Sequence, residues 1–273
     1  MKTLKNEIRL SGVGLHSGSA AAVTLVPSEG EWINFVNQKG TSSVTQAVIE
    51  EDSRLTGFSL PNGMTVRTAE HLLAAVAGMG LEAVDIHLEG QEVPIMDGSA
   101  LPFAQAIRAT GFRDNGKKSR PRFLATPLIA EENNGARLMF AYPSEKLRVT
   151  YIIDYSGTPV GLQKFSCDIT EENFYNIIAG ARTFGLTSEL GYLRQHGLAK
   201  GGSKENALIF DENGLVEGQQ LRHPQECSIH KITDLLGDLT LSGPVPTAHY
   251  VGLASGHSVH AKLVRSLRAV FAC

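Results

Sequence analysis

The hydrophobic and polar residues of this chain follow two different periods, and each period predicts a type of element. Short apolar runs in the first third, such as AAVTLVP and WINFV, are typical of β-strands. In TVRTAEHLLAAVAGMG, residues 65–80, the side chains of Leu72, Leu73 and Val76 recur at helical spacing and predict an amphipathic helix. VDIHLEG then predicts another strand, and LPFAQAIRATG predicts a second helix with a proline in its first turn.

A polar, basic stretch without periodicity, RDNGKKSRPR at residues 113–122, separates this pattern from the rest of the chain. Strand-like runs then begin afresh. Further helices are predicted within EENFYNIIAG, at residues 188–199, at residues 227–240 and in HSVHAKLVRSLRAVF. Because each half runs from strands to helices, we predict an α+β fold of two domains, residues 1–118 and 119–273, each a sheet covered by helices.

Composition and charge narrow the classes of function. The 273 residues are 42% hydrophobic and 19% charged, which allows a substantial core. The net charge of −3 gives no overall positive field, so we expect no nucleic acid partner. Three dispersed cysteines without a CxxC pair indicate a reducing compartment rather than a disulfide framework. Because neither a signal peptide nor a run of about 20 apolar residues is present, we expect a cytoplasmic protein without an integral membrane segment.

The helix predicted in CSIHKITDLLGDLT, residues 227–240, has an unusual polar stripe beside its apolar face. His230, Asp234 and Asp238 lie four residues apart, so their side chains follow one another along one side of the helix. A histidine and an aspartate at this spacing can bind one cation, but such pairs also occur on ordinary helices. A catalytic zinc needs three protein ligands and one open position, so the hypothesis requires a third ligand from elsewhere.

TAEHLL and SGHSVH supply the other candidates for chemistry. Adjacent helical residues point about 100° apart, so we predict that His71 binds the metal while Glu70 acts as general base on its water. A helix start with a favourably placed glutamate is the alternative interpretation. His257 lies in the first turn of the last helix, where Asp238 could hold it protonated as a general acid or a cation. A capped helix with a hydrogen-bonded histidine is the alternative there.

Two further polar residues lie in turns. His16 in GVGLHSG is consistent with a surface histidine in a hairpin or with a functional group. Asp97 in VPIMDGS is typical of a turn in which the carboxylate accepts hydrogen bonds from the backbone.

Taken together, six segments resemble one family, the zinc-dependent UDP-3-O-acyl-N-acetylglucosamine deacetylases of lipid A biosynthesis. They come in the family's order and span nearly the whole chain, so the resemblance is specific although each segment alone is weak. The segments are SGVGLHSG (11–18), TAEHLLAAVAGMG (68–80), EVPIMDGSALPF (92–103), ARTFGLTSELGYLRQHGLAKGGSKENALIFD (181–211), HKITDLLGDLTLSG (230–243) and SGHSVHAKL (255–263).

The resemblance implies two domains of similar fold packed face to face, with the metal site between them. It implies that His71, His230 and Asp234 bind Zn²⁺. It further implies the following catalytic residues: Glu70 as general base, His257 as cation or general acid, Asp238 as its partner, Thr183 beside the oxyanion and Lys231 against the substrate.

The resemblance also implies an insert near residues 186–207 that forms a channel for the fatty acyl chain. The substrate-binding residues that we assign on this basis are Phe184, Leu190, Leu198, Ala199, Ser203, Ala207 and His16. The implied reaction is hydrolysis of the acetamide of UDP-3-O-acyl-N-acetylglucosamine to acetate and UDP-3-O-acyl-glucosamine, the committed step of lipid A biosynthesis. We expect a monomer. The alternatives are a zinc amidohydrolase acting on a different N-acylated amino sugar and a non-catalytic homologue that binds a sugar nucleotide or lipid.

The chain departs from the family's usual residues near the substrate's diphosphate. Ile229 and Ala254 occupy positions where the family usually has an arginine and a lysine. Two lost cations predict weaker binding, because a hydrogen bond to a charged group contributes about 1.5–3 kcal/mol. The remaining departures are Glu82-Ala83 for a common Asp-Asn and His260-Ala261 for part of an Asn-Asn, and the candidates to compensate are Lys200, Lys204, Arg222 and His260.

Overall fold

The computed structural model describes residues 1–50 and 55–271. Within the described residues, the first half contains ten strands and two α-helices. The elements are β1 (Lys2–Leu4), β2 (Ile8–Val13), β3 (Ala20–Pro27), β4 (Trp32–Asn37), β5 (Gly40–Ser43), β6 (Val48–Ile49), β7 (Gly57–Ser59), β8 (Thr65–Arg67), α1 (Glu70–Gly78), β9 (Ala83–Glu89), α2 (Leu101–Thr110) and β10 (Phe112–Asp114).

The main sheet of the first half has the strand order β2-β3-β9-β4-β5. Its central strand β9 pairs antiparallel with β3 and parallel with β4, so Ile86 lies opposite both Leu25 and Phe35. These three side chains are buried in the core, as is nearly all of α1. A smaller sheet in the order β6-β7-β8 leads directly into α1, which places the β7–β8 hairpin beside the start of that helix.

The second half repeats the progression from strands to helices. Its elements are β11 (Leu128–Glu132), β12 (Arg137–Tyr142), β13 (Arg148–Tyr155), β14 (Gly161–Asp168), α3 (Glu171–Asn173), β15 (Phe184–Leu186), α4 (Leu190–Gln195), β16 (Leu208–Asp211), β17 (Gly214–Leu215), α5 (Glu226–Leu239), β18 (His249–Leu253) and α6 (His257–Phe271).

The second main sheet has the order β11-β12-β18-β13-β14, which is the arrangement of the first sheet. In both, four strands in chain order flank a late fifth strand at the centre, and that strand runs parallel to one neighbour. The α+β prediction is therefore confirmed, and the shared topology accounts for the repeated pattern in the sequence. The boundary between residues 118 and 119 falls in the connection from β10 to β11 and stays a prediction.

Two segments differ from the sequence prediction. The helix predicted at residues 188–199 is only α4, because Gly197 takes a φ of +72° that ends a right-handed helix. EENFYNIIAG forms the single turn α3 followed by π-helical residues Phe174–Ile178. In the part of the chain that the structure describes, none of the helices is long and apolar enough to cross a membrane.

Helices α1 and α5 bring the two halves into direct contact. Gly237 in α5 lies against the backbone of Glu70, so closely that a Cβ atom there would lie 2.2 Å from the Glu70 carbonyl oxygen. At the end of α5, the Trp32 indole from β4 donates a hydrogen bond of 3.1 Å to the carbonyl of Thr240. The residues of α1 and α5 that carry polar side chains therefore meet in the interior.

Candidate active site

Three buried side chains from α1 and α5 converge at the helix contact. The Oδ1 atom of Asp234 lies 3.2 Å from His230 Nε2 and 3.8 Å from His71 Nε2. The two imidazoles meet edge to face, with ring centroids 4.9 Å apart. Each residue thus offers one ligand atom, and these three atoms all lie within 4.8 Å of one another.

The chemistry of these donors fits a divalent cation. His230 Nδ1 donates to the carbonyl of Ala181 at 3.0 Å, which leaves the lone pair of Nε2 available. Burial, followed by the field of His230, lowers the pKa of His71 to about 3, so its imidazole is neutral. Burial works against the charge of Asp234, but His230 and Lys231 hold the pKa of that carboxyl well below its usual range. Zinc bonds of about 2.0–2.1 Å in a tetrahedron separate neighbouring ligands by about 3.3 Å, close to the distances observed.

Glu70, the first residue of α1, lies next to these ligands and is 5% exposed. The backbone N–H of Thr56 donates to its Oε2 at 3.2 Å. Burial is the main cause that raises the pKa of Glu70 to about 7. A carboxyl group with this pKa can accept and release a proton near neutral pH.

A second buried group surrounds Asp238, one helical turn beyond Asp234. His257 Nδ1 donates to Asp238 Oδ2 at 2.8 Å, while His257 Nε2 lies 3.8 Å from Asp234 Oδ2 and so faces the first group. The Thr56 hydroxyl donates to the other carboxylate oxygen of Asp238 and lies 3.2 Å from His257 Nδ1. Burial opposes the charge, yet Asp238 raises the pKa of His257 to about 9.

His260 completes this second group, and its Nδ1 lies 2.6 Å from Asp238 Oδ2. Asp238, His257 and His260 also lie close enough to one another to be considered as metal ligands. However, the two N···O distances of 2.6 and 2.8 Å are those of hydrogen bonds and are shorter than the roughly 3.3 Å between two ligands of one zinc ion. The second group is therefore a hydrogen-bonded cluster.

Lys231 lies on the other side of Asp234. Its Nζ is 2.8 Å from Asp234 Oδ2 and 5.7 Å from the centroid of the Phe184 ring. Although burial disfavours the ammonium charge, Asp234 raises the pKa of Lys231, so it stays a cation. The predicted substrate residue Phe184 thus lies beside this cation and packs edge to face on Tyr155 at 5.4 Å.

The segment that carries Ala181 and Thr183 is held by a buried carboxylate. Glu226, fully buried at the start of α5, accepts hydrogen bonds from the backbone N–H and the guanidinium of Arg182 at 3.1 and 2.9 Å. The N–H of Thr183 donates to the carbonyl of Gly98 at 2.8 Å. These contacts fix the carbonyl of Ala181, which accepts from His230, and the backbone of Thr183.

Several of the predicted substrate-binding residues gather at a different place. His16 and Leu198 line a cavity of about 510 Å³, and the N–H of Ala199 donates to His16 Nδ1 at 3.4 Å. Leu190 is half-buried at the start of α4. The exposed Ser203 and the buried Ala207 are joined by a backbone hydrogen bond of 3.1 Å.

The structure shows where the residues that depart from the family pattern lie. Ile229 is fully buried on the apolar face of α5, and Ala254 has a φ of +46° just after β18. Of the candidates to compensate, Arg222 forms an ion pair with Asp97 at 2.9 Å, and His260 belongs to the Asp238 cluster. Asp97 also accepts from the N–H and hydroxyl of Ser99, as its turn motif predicts.

Sequence reasoning missed Thr56, Tyr151 and Glu226 as members of the site. Thr56 precedes α1 by a hairpin and contacts Asp238 across 182 positions, so no local pattern could reveal it. Tyr151 is an alternating residue of β13 and is indistinguishable in sequence from a core tyrosine. Glu226 is the first residue of the apolar helix α5, and an acid at that position was the one signal in the sequence, since a carboxylate packed among apolar residues is rarely without a partner.

Comparison with known proteins gives one consistent result. A family model described as UDP-3-O-acyl N-acetylglycosamine deacetylase matches residues 1–269. A protein from Synechocystis sp. named UDP-3-O-acyl-N-acetylglucosamine deacetylase is 38% identical over 272 residues, 97% of each chain. Proteins of the same name from Thermodesulfovibrio yellowstonii and Myxococcus xanthus are each 36% identical. The match to the Thermodesulfovibrio protein covers 97% of this chain and 91% of that relative. The match to the Myxococcus protein covers 100% of this chain and 87% of that relative.

Proposed function

The chain belongs to the UDP-3-O-acyl-N-acetylglucosamine deacetylase family, and we propose that His71, His230 and Asp234 form the centre at which it acts. The enzyme hydrolyses the acetamide of UDP-3-O-acyl-N-acetylglucosamine in lipid A biosynthesis. The products are acetate and UDP-3-O-acyl-glucosamine. The observation that supports this site best is the convergence of three neutral or anionic donors beside Glu70, whose pKa of about 7 suits a general base.

Zinc is the ion that we propose for this centre, because two imidazoles and one carboxylate are a common donor set for catalytic zinc. Iron suits similar ligands and is the competing ion. When bound, such an ion supplies polarisation of the acetamide carbonyl and a more acidic water molecule.

The side chains around the centre perform the proton transfers in this proposal. Glu70 accepts the proton of the attacking water, since its pKa lies near neutral pH. His257, kept as a cation by Asp238, lies across the site and donates a proton to the departing amine or stabilises the negative charge that develops. Thr183 assists at the oxyanion, and Lys231 contacts the substrate.

We assign the acyl chain to the insert near residues 186–207. The supporting observation is that the apolar side chains of Phe184, Leu190 and Leu198 are half-buried in this part of the chain, with the ring of Phe184 beside Lys231. The other substrate-binding residues in this proposal are His16, Ala199, Ser203 and Ala207. The dispersed cysteines support a reducing, cytoplasmic compartment, and the net charge of −3 supports a partner other than nucleic acid. The monomeric state stays a prediction.

One specific observation favours a second candidate function. Ile229 is buried and Ala254 is uncharged, so two cations that the family usually places near the diphosphate are missing. A zinc amidohydrolase acting on a different N-acylated amino sugar would share the chemistry and differ in this binding region.

The test is acetate release from UDP-3-O-acyl-N-acetylglucosamine, with and without a chelator, and in parallel from N-acetyl sugars without the nucleotide. We expect turnover of the UDP-linked substrate that the chelator abolishes and zinc restores. Glu70→Gln should keep the metal and lose about 10²- to 10⁴-fold in kcat, the usual contribution of general base catalysis. Turnover only of the simpler sugars would favour the second candidate. A Glu70→Gln variant with normal kcat would remove Glu70 from the mechanism, and a protein without metal would indicate a binding homologue.

A further inference from the structure

One oxygen of Asp238 is shared by two imidazoles that lie on the same helix. Oδ2 is 2.8 Å from Nδ1 of His257 and 2.6 Å from Nδ1 of His260, and all three side chains are buried. His257 faces the proposed metal ligands, whereas His260 points away from them toward β13. The role of His260 is therefore not explained by contact with a substrate.

The Asp238 carboxylate determines which nitrogen atoms of His257 and His260 carry hydrogens. Burial works against the charge of Asp238, but the charge and hydrogen bond of His257 lower its pKa to about 2, so the carboxylate only accepts. Both Nδ1 atoms must therefore carry a hydrogen. Among the described residues, Asp238 is the one carboxylate in contact with His260, and it already faces His257. A second imidazolium would be a buried charge without a partner, so His260 is neutral, with a bare Nε2.

The bare nitrogen of His260 has a donor on its far side. Tyr151 Oη lies 2.8 Å from His260 Nε2, and Tyr151 is fully buried in β13. Burial raises the pKa of Tyr151, so the phenol keeps its single hydrogen, which has two acceptors in reach: His260 Nε2 at 2.8 Å and the carbonyl oxygen of Ser255 at 3.0 Å. The phenol donates to the nearer acceptor, His260, because the buried bare Nε2 would otherwise lack a donor. The Ser255 hydroxyl, 2.7 Å from the phenol oxygen, can then donate to Tyr151. The hydrogen bonds thus run in one direction, from Ser255 through Tyr151 and His260 to Asp238.

We propose that His260 and Tyr151 are positioning residues for the deacetylation, which hold the Asp238 carboxylate in the orientation that aims His257 at the reacting amide. This inference rests on the proposed function. His260 fixes Oδ2 from one side while the Thr56 hydroxyl fixes the other carboxylate oxygen. With both oxygens held, the hydrogen bond from His257 Nδ1 to Asp238 keeps the ring oriented with Nε2 toward the proposed ligands.

Two substitutions of His260 distinguish the effect of its hydrogen-bond donor to Asp238 from the effect of its side-chain volume. In His260→Asn the amide nitrogen can take the place of Nδ1 and still donate to Asp238, whereas in His260→Gln the amide reaches toward Tyr151 instead. We expect His260→Gln to lose about 10- to 100-fold in kcat, the usual effect of removing a partner that orients an active-site group. KM should not change, and His260→Asn should exceed His260→Gln by about tenfold in kcat. Metal content and the thermal unfolding midpoint, measured for each variant, check that the centre is intact.

Tyr151→Phe removes only the hydroxyl, and Tyr250→Phe is its matched control. Tyr250 is also fully buried, in the neighbouring strand β18, and its hydroxyl donates to the carbonyl of Pro246 at 3.0 Å. Loss of a neutral hydrogen bond predicts a decrease of about 2- to 10-fold in kcat for Tyr151→Phe. Tyr250→Phe should lose comparable stability without this decrease.

The spectroscopic readout is independent of turnover. In the zinc-loaded protein with ¹⁵N-labelled histidine, His260, assigned by the signals that disappear in the substituted variants, should show a protonated Nδ1 and an unprotonated Nε2. The opposite tautomer, or protonation of both nitrogens at neutral pH, would overturn the inference, as would a His260→Gln variant with the kcat of the natural protein. If His260→Gln does not fold, the comparison of Tyr151→Phe with Tyr250→Phe and the tautomer decide the question. If the natural protein releases no acetate, the proposed function fails, and the tautomer still tests the hydrogen-bond chain separately.

Discussion

Gly237→Ala adds only one methyl group, yet we expect it to disturb the geometry of the proposed metal ligands strongly. Gly237 in α5 touches the backbone of α1 at Glu70, one residue before the proposed ligand His71. A Cβ atom would lie 2.2 Å from the Glu70 carbonyl oxygen and 2.7 Å from its Cα, whereas ordinary contacts begin at 3.4 Å. The backbone of a helix cannot turn aside as a side chain does, so α1 and α5 must separate by about 1 Å.

The expected losses in stability and in activity differ in size. Overpacking at a tight contact costs about 1–3 kcal/mol, and the better helix propensity of alanine offsets about 0.8–1.0 kcal/mol of that cost. The free energy of unfolding should therefore fall by no more than about 2 kcal/mol. A displacement near 1 Å carries Glu70 and His71 away from His230 and Asp234, and misplacement of this size can cost about 10²-fold in rate.

The assay measures kcat on the UDP-linked substrate, zinc affinity by chelator competition, and unfolding in urea. Gly191→Ala is the matched control for stability, because Gly191 also lies in a helix, α4, and a Cβ there would meet no atom within 4 Å. This control should be more stable by about 0.5–1 kcal/mol. A Gly237→Ala protein that keeps both zinc affinity and kcat would show that the contact of the two helices does not set the geometry of the centre.

Three further predictions concern the groups around the proposed ligands. Thr56→Val keeps the shape but removes the donor to Asp238, so kcat should fall about tenfold, and Thr56→Ser should restore most of it; equal rates for Val and Ser would exclude a role for the hydroxyl. Glu226→Gln weakens the charged contact with Arg182 and should lower zinc affinity through the Ala181 carbonyl, as chelator competition would report; unchanged affinity would contradict this path. In the metal-free protein, the pKa of His257 is raised from 6.5 to about 9, so its stabilisation is complete below pH 6.5 and is lost as the pH rises through 9. Between pH 6 and pH 9.5, the free energy of unfolding of the natural protein should fall by roughly 3 kcal/mol more than that of His257→Gln. If the two proteins lose stability in parallel with pH, the pairing of His257 with Asp238 is refuted.

Local periodicity predicted some of the helices, but not the extent of the short helix α4 or the π-helical residues Phe174–Ile178. Helical spacing in α1 and α5 predicted both elements, and the four-residue spacing placed His230 and Asp234 on one face, as the structure has them. The strand orders could not be predicted in this way, because the central strands β9 and β18 enter their sheets late and pair with neighbours distant in sequence.

The rest of the site depends on contacts between distant segments. His71 meets His230 only because Gly237 allows α1 and α5 to touch, and no pattern within either helix encodes that approach. His260 was visible only as a departure from the family's usual asparagine, since its partner Tyr151 lies more than a hundred positions away. The roles of individual side chains thus followed from the family resemblance and from the geometry of the structure. Periodicity alone could not assign them.

The single tryptophan of the chain gives this architecture a built-in optical reporter. Trp32 belongs to the first half, yet its indole bonds to Thr240 at the end of the helix that carries two of the proposed ligands. If the two halves separate, the indole ring becomes exposed to water. Its fluorescence emission then shifts to longer wavelength, and a collisional quencher can reach it. Fluorescence can therefore follow, without any label, whether zinc uptake and closure of the helix contact occur together during refolding.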